Sequence, residues 1–256
     1  MRIVNTYPKI LSLFEKMNGV FDMGLWEEYA SQISIELPDK IKTDSRDYDF
    51  DNDILPVLNL ALKNQEKLQI INHSFVKAIE NLDEKMKRIC QYDLTVDVVL
   101  YLGLCNGAGW ATELNGKPTV LLGIEKILEL DWGDYESVAA LIYHELGHIW
   151  HFAVGGKRTM TPILQLYCEG VAMYIEQQLL GYESYHQDKD DWLKWCHSNK
   201  AALNAEYLRR LLENKSVKEF FGDWLCYQGH SDVGYFIGCE FIKHLLKSTF
   251  LTRLLN

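Results

Sequence analysis

Asp134-Tyr-Glu-Ser-Val-Ala-Ala-Leu-Ile-Tyr-His144-Glu145-Leu-Gly-His148-Ile-Trp-His-Phe-Ala-Val-Gly155-Gly156 is the stretch on which the reading of this chain turns. Asp134 suits an N-cap and Glu136 the first turn, and the Gly155-Gly156 pair supplies a stop, so one long helix is expected. On that helix His144 and His148 stand four residues apart, one turn above each other on the same face. Two imidazoles so placed can reach one tetrahedral zinc from a single rigid element. Glu145 projects beside the same face, where it can take the proton of a metal-bound water rather than bind the ion. The bland alternative is a solvent-facing polar stripe. Leu141, Ile142, Tyr143, Leu146, Ile149 and Trp150 argue against it, because a helix so apolar around its histidines is buried and buried histidines need partners.

A catalytic zinc takes three protein ligands and keeps one open position. With twenty residues between it and His148, Glu169 in Tyr167-Cys-Glu169-Gly170-Val-Ala172 places a carboxylate inside a mostly apolar helix expected from about Ile163 to Leu180 and closed by Gly181. Gly170 and Ala172 are small, which would let this helix approach the His144 helix closely. A glutamate buried there without a cation is costly. Glu176 and Glu183 compete for the role, and a helix glutamate paired with a lysine is the structural alternative. His151 reads as a packed or supporting histidine. The longer HExxHxxGxxH pattern would need Gly at 151 and His at 154, where this chain has His151 and Val154.

Outward from this pair of helices the periodicity changes. Leu94 to Leu102 is rich in β-branched residues and reads as a strand. Trp110–Leu114 and Pro118–Ile124 flank Asn115-Gly116, the pair that favours a tight primed turn, and so read as a hairpin. A small sheet of roughly three strands, mostly antiparallel, is expected. Residues 1–92 read as a helical N-terminal region. Within it Gln65 to Arg88 has one apolar stripe (Leu68, Ile71, Phe75, Ala78, Ile79, Leu82) and predicts a single long amphipathic helix. Asp44 to Asp53 is acidic and turn-rich; it reads as a solvated loop, since a calcium loop of the EF-hand kind needs a Gly and a distal Glu that are missing. Further helices are expected over about Asp190–Lys200, Ala202–Asn214 and Val233–Lys247. The fold class expected is α+β and predominantly helical. Its catalytic portion spans residues 93–256: a sheet over 93–125, the zinc helix over 134–154 and C-terminal helices over 163–250.

Composition limits the partners. Thirty-six acidic against twenty-six basic residues give the 256-residue chain a formal charge of −10. With no Lys/Arg cluster, neither nucleic acid nor an anionic membrane surface is an expected partner. The first 24 residues lack a continuous apolar core and a small-residue cleavage site, and no apolar run approaches a membrane span. Six cysteines without CxxC spacing read as reduced thiols. A soluble, cytoplasmic protein is the expectation.

With His144-Glu145-Leu-Gly-His148 and Glu169-Gly-Val-Ala172 on the page, the chain resembles the gluzincin group of zinc metallopeptidases, the thermolysin-like and aminopeptidase-like zincins. Within the group it looks most like uncharacterised bacterial predicted zinc-dependent proteases. The resemblance covers about Leu94 to Glu176. It implies a zincin-like fold, one Zn2+ per chain held by His144, His148 and Glu169, and Glu145 as general base. It also implies that Thr119-Val-Leu-Leu-Gly-Ile124 runs antiparallel to an extended peptide substrate. Met173 stands where thermolysin-like enzymes carry an acidic residue, and Asn106-Gly-Ala-Gly109 shares only a Gly-rich look with the aminopeptidase signature.

An oxyanion donor is also needed. Tyr235 and His230, within Gly229-His-Ser-Asp-Val-Gly-Tyr235-Phe-Ile-Gly238, are the candidates, and the glycines there suggest close helix packing. The alternative is a core tyrosine and a helix-cap neighbour. The expected activity is hydrolysis of a peptide or amide bond by zinc-activated water, with a peptide or protein as substrate. A zinc-binding but non-catalytic, partner-binding protein is the rival reading.

Overall fold

A computed structural model describes residues 1–155, 159–222 and 224–254. The chain is α+β and forms two compact units, Met1–Ile149 and Trp150–Asn256.

In the first unit, β1 (Arg2–Asn5) opens the chain. Six helices follow: α1 (Tyr7–Met17), α2 (Met23–Ser31), α3 (Leu37–Asp44), α4 (Leu55–Lys63), α5 (Gln65–Ala78) and α6 (Leu82–Cys90). Then come β2 (Asp97–Tyr101), β3 (Gly109–Leu114), β4 (Lys117–Gly123), α7 (Ile124–Glu129) and α8 (Tyr135–Gly155), of which the residues from Trp150 on belong to the second unit. The sheet order among the described residues is β1-β2-β4-β3. β1 pairs with β2 and β2 with β4 in parallel; only β3 and β4 are antiparallel. The expected three-stranded, mostly antiparallel sheet is therefore corrected to four strands with two parallel pairs. The reason is β1: Ile3-Val4 is too short a β-branched run to read as a strand, and its return to β2 passes through the whole helical stretch, as a parallel crossover must. That pairing ties the N-terminal helices to the sheet.

The two inner strands explain their own composition. Val98, Val99, Leu100 and Tyr101 on β2 and Val120, Leu121 and Leu122 on β4 are all 0–1% exposed. Strands covered on both faces read as continuous apolar runs, as these do. Asn115 and Gly116 link β3 to β4 with φ of 50° and 71°, both in the left-handed region that a primed two-residue turn demands.

The long helix expected over Gln65–Arg88 is two helices. Asn81, at φ 56°, breaks it between α5 and α6, because asparagine accepts the left-handed conformation at little cost. The acidic stretch after α3 is not plain loop: it holds a short 3-10 turn, Ser45–Asp47, and a wide helical turn, Phe50–Ile54, in which Asp49 accepts a hydrogen bond from Asn52 N–H at 2.8 Å.

The second unit is built from α9 (Pro162–Leu180), α10 (Trp192–Leu212) and α11 (Val233–Leu254). Thr161 caps α9 by accepting from Leu164 N–H at 3.3 Å, with Pro162 in the first turn, where a missing N–H costs nothing. Gly181 closes it at φ 82°, as expected. The two helices expected over 190–214 are one, since nothing around Lys200 and Ala201 breaks the helix. The core of this unit gathers Leu166 and Met173 of α9, Trp192, Cys196, Leu203 and Tyr207 of α10, and Phe236, Ile237 and Cys239 of α11. Gly170 packs against the backbone of Gly238, and Gly238 against Leu166 O, so α9 and α11 cross almost backbone to backbone. The close approach expected of Gly170 is thus made to α11. No helix among the described residues is long and apolar enough to cross a membrane.

Candidate metal and catalytic site

Asp134 caps α8 as its sequence suggests: its carboxylate accepts from Ser137 N–H at 2.9 Å and from the Ser137 hydroxyl at 2.7 Å. α8 begins at Tyr135 and ends at Gly155, while Gly156 of the expected stop lies outside the described residues. The capped helix carries His144, Glu145 and His148, which are 2%, 7% and 9% exposed, so the solvent-facing alternative fails. The two Nε2 atoms approach to 3.1 Å, and the rings stand edge to face with centroids 4.8 Å apart. Both imidazoles therefore turn the same nitrogen towards one position, the arrangement that four-residue spacing offers a metal.

Glu145 is confined by the sheet. Gly109, the first residue of β3, lies so close that a Cβ placed on it would come within 2.5 Å of Glu145 Oε1 and 2.9 Å of its carboxyl carbon. A glycine is required here by close approach. Since the obstructed atoms end a flexible side chain, Gly109→Ala is expected to displace the carboxylate rather than unfold the chain. Denaturant unfolding should shift by less than about 1 kcal/mol; a larger loss would show that the Glu145 side chain cannot give way.

Thr119–Ile124 cannot receive an extended peptide in the way expected of it. β4 is paired on both sides, and Thr119 to Ile124 are buried. β3 ends the sheet order, with Gly109 to Thr112 only half-buried. Among the described residues its outer edge has no strand partner, as is true of β1 at the other end of the sheet, and strand addition needs such an edge.

Behind β3 the first unit buries a second carboxylate that the sequence reading missed. Glu125, on α7, is 0% exposed; its oxygens accept from Gly103 N–H at 2.8 Å and Cys105 N–H at 3.2 Å. Burial raises its carboxyl from the ordinary 4.5 to about 7, partly opposed by those backbone donors and by Lys126. The signal was a charged pair, Glu125-Lys126, inside an otherwise apolar run. The sign of its effect on stability follows. Between pH 4.5 and 7 the folded chain keeps a proton that the unfolded chain has released, so stability falls as pH rises through that window. The loss amounts to at most about 3 kcal/mol. Urea unfolding of Glu125→Gln between pH 4.5 and 7.5 should show a slope flatter than that of wild type; identical slopes would rule Glu125 out as its source.

Three residues of the second unit, Glu169, Glu176 and His186, belong to groups of side chains that could hold a metal ion. Glu169 is half-buried on α9, and Glu176, seven residues on and therefore on the same face, is 0% exposed. Glu176 accepts from His186 Nδ1 at 2.8 Å, and His186 Nε2 lies 2.8 Å from Gln187 Nε2. Glu183, the other competitor, pairs with Lys243 at 2.9 Å on the surface. Tyr235 is on α11, its ring edge-on to His186 with centroids 6.2 Å apart. His230 is stacked on Trp195 at 3.8 Å and bridged to Tyr227. His151 packs edge-on against Tyr167 at 5.3 Å. It also lines an apolar cavity of about 550 Å³ with Leu164, Cys168, Val171 and Ile175. Their spacing puts that cavity on the face of α9 roughly opposite Glu169.

No family model matches the chain, and neither does any curated protein or solved structure at a significant level.

Proposed function

We propose that this protein is a zinc-dependent hydrolase of peptide or other amide bonds, of gluzincin type. The observation that carries the reading is the buried His144–His148 pair, with Nε2 atoms 3.1 Å apart and Glu145 beside them on one capped helix. Glu169, half-buried on α9, is the proposed third ligand. Zinc bound there would polarise a water and the scissile carbonyl. With the metal bound, Glu145 would serve as the general base towards that water and as the proton donor to the departing amine. The free edge of β3 would hold an extended peptide by main-chain hydrogen bonds, with Gly109 leading towards Glu145. Tyr235 is the proposed oxyanion donor. His230 is the weaker candidate, because its ring is already stacked on Trp195.

Elemental analysis of purified protein tests the ligand set. About one zinc per wild-type chain is expected, with clear loss in His148→Ala and Glu169→Ala and retention in Glu183→Ala. Glu176→Ala separates the two α9 carboxylates: loss there together with retention in Glu169→Ala would move the third ligand to Glu176. Wild-type protein that takes up no metal after incubation with zinc would end the reading.

A further inference from the structure

The segment joining β2 to β3 must turn the chain out of a buried strand and deliver Gly109 against Glu145. Its start is fixed by neutral groups: Leu102 N–H donates to Tyr29 Oη at 2.9 Å, and Trp26 Nε1 donates to Leu102 O at 3.0 Å. At its end Gly123 N–H donates to Ala108 O at 2.9 Å. Between these anchors Cys105 adopts φ 59°, a left-handed conformation that is unfavourable for a residue with a side chain and persists only where its surroundings enforce it. Glu125 does the enforcing, because one carboxylate accepts from the N–H groups on both sides of Leu104. Gly103 and Gly123 make room for it: a Cβ on either would come within 2.6 Å and 3.2 Å of Glu125 Oε1. Taking a carboxylate fully out of water is costly, so its retention in a buried, glycine-lined seat calls for a role beyond packing.

We propose that Glu125 is a positioning residue for Glu145: by gripping Gly103 and Cys105 it fixes the Leu102–Gly109 segment, and so the backbone of Gly109 that confines the Glu145 carboxylate. This rests on the reading of Glu145 as general base. The groups facing Glu125 are Tyr29 from α2, Tyr101 from β2 and Lys126 on its own helix. A carboxyl raised to about 7 changes its state near neutrality, when its grip on two N–H donors also changes.

The test is amide nuclear magnetic resonance on 15N-labelled protein between pH 5.5 and 8.5. In wild type the Gly103, Cys105 and Gly109 amides should titrate together with a midpoint near 7, while those of β1 stay still. In Glu125→Gln the shared titration should vanish from all three. A Gly109 amide that does not move in wild type overturns the proposal by itself, even if the variant fails to fold. A Gly109 titration that survives in Glu125→Gln overturns it too, since its source is then another group. In a peptide assay the variant should retain zinc and KM but show kcat lower by roughly tenfold. Wild type without turnover would sink the hydrolase reading and leave the amide measurement to decide the role of Glu125.

Discussion

Alanine in place of Gly170 is expected to destabilise the second unit by about 3 kcal/mol or more. Two effects of opposite sign compete. Inside a helix, Gly→Ala is ordinarily favourable by roughly 0.5–1 kcal/mol, because alanine gives up less backbone freedom on folding. Here, however, the new Cβ would fall inside the van der Waals surface of the Gly238 carbonyl, a backbone group of α11 that cannot rotate away. Relief requires α9 and α11 to move apart, which opens the contacts of Leu166, Met173, Phe236 and Ile237 in the core. Overpacking a core costs ~1–3 kcal/mol when side chains can adjust, and a backbone-to-backbone crossing has less room to adjust. The steric effect wins. Gly238→Ala should do the same, since its Cβ would meet Leu166 O at 2.6 Å. Gly155→Ala is the control: among the described residues its Cβ meets only His151, at an ordinary 3.6 Å, so it should be neutral or slightly stabilising. Urea unfolding followed by circular dichroism measures all three, and a Gly170→Ala protein as stable as wild type would show that the crossing is looser than described.

Glu145→Gln should keep the metal and lose turnover by roughly 100- to 10,000-fold, the range spanned by general acid–base groups. The substitution is nearly isosteric, so the tight seat under Gly109 still accommodates the side chain. What changes is chemical: an amide cannot take the proton of the attacking water. His144 and His148 are untouched, so zinc content should match wild type. The pair of readouts separates the rival functions. Zinc retained with turnover lost supports hydrolysis with Glu145 as base. Equal turnover in both proteins removes Glu145 from the mechanism. Metal binding with no turnover of any library peptide by wild type favours the non-catalytic, partner-binding protein.

Glu125 shows why part of the site escaped a reading of the sequence. Its neighbours Ile124 and Ile127 announce burial, but nothing local says that the N–H groups of Gly103 and Cys105, 22 and 20 residues away, will meet its carboxylate. The same holds for β3. Asn115-Gly116 announces a hairpin, yet the choice of which hairpin strand keeps a free edge belongs to β2, which takes the other side of β4. Glu176 was legible as a competing ligand candidate on its helix and His186 was not, because their contact joins α9 to the segment after it.

Local chemistry settled what lay within a few residues. The cap of Asp134, the four-residue spacing of His144 and His148, the left-handed turn at Asn115-Gly116 and the stop at Gly181 each follow from backbone geometry and one side chain, and each is found as read. Tertiary structure alone decided the parallel β1 and the strand order. It also decided that Gly170 serves the crossing with α11. These outcomes depend on which surfaces meet. Helix and strand propensities differ by about 1 kcal/mol or less per residue, whereas one buried side chain or one backbone clash outweighs several of them.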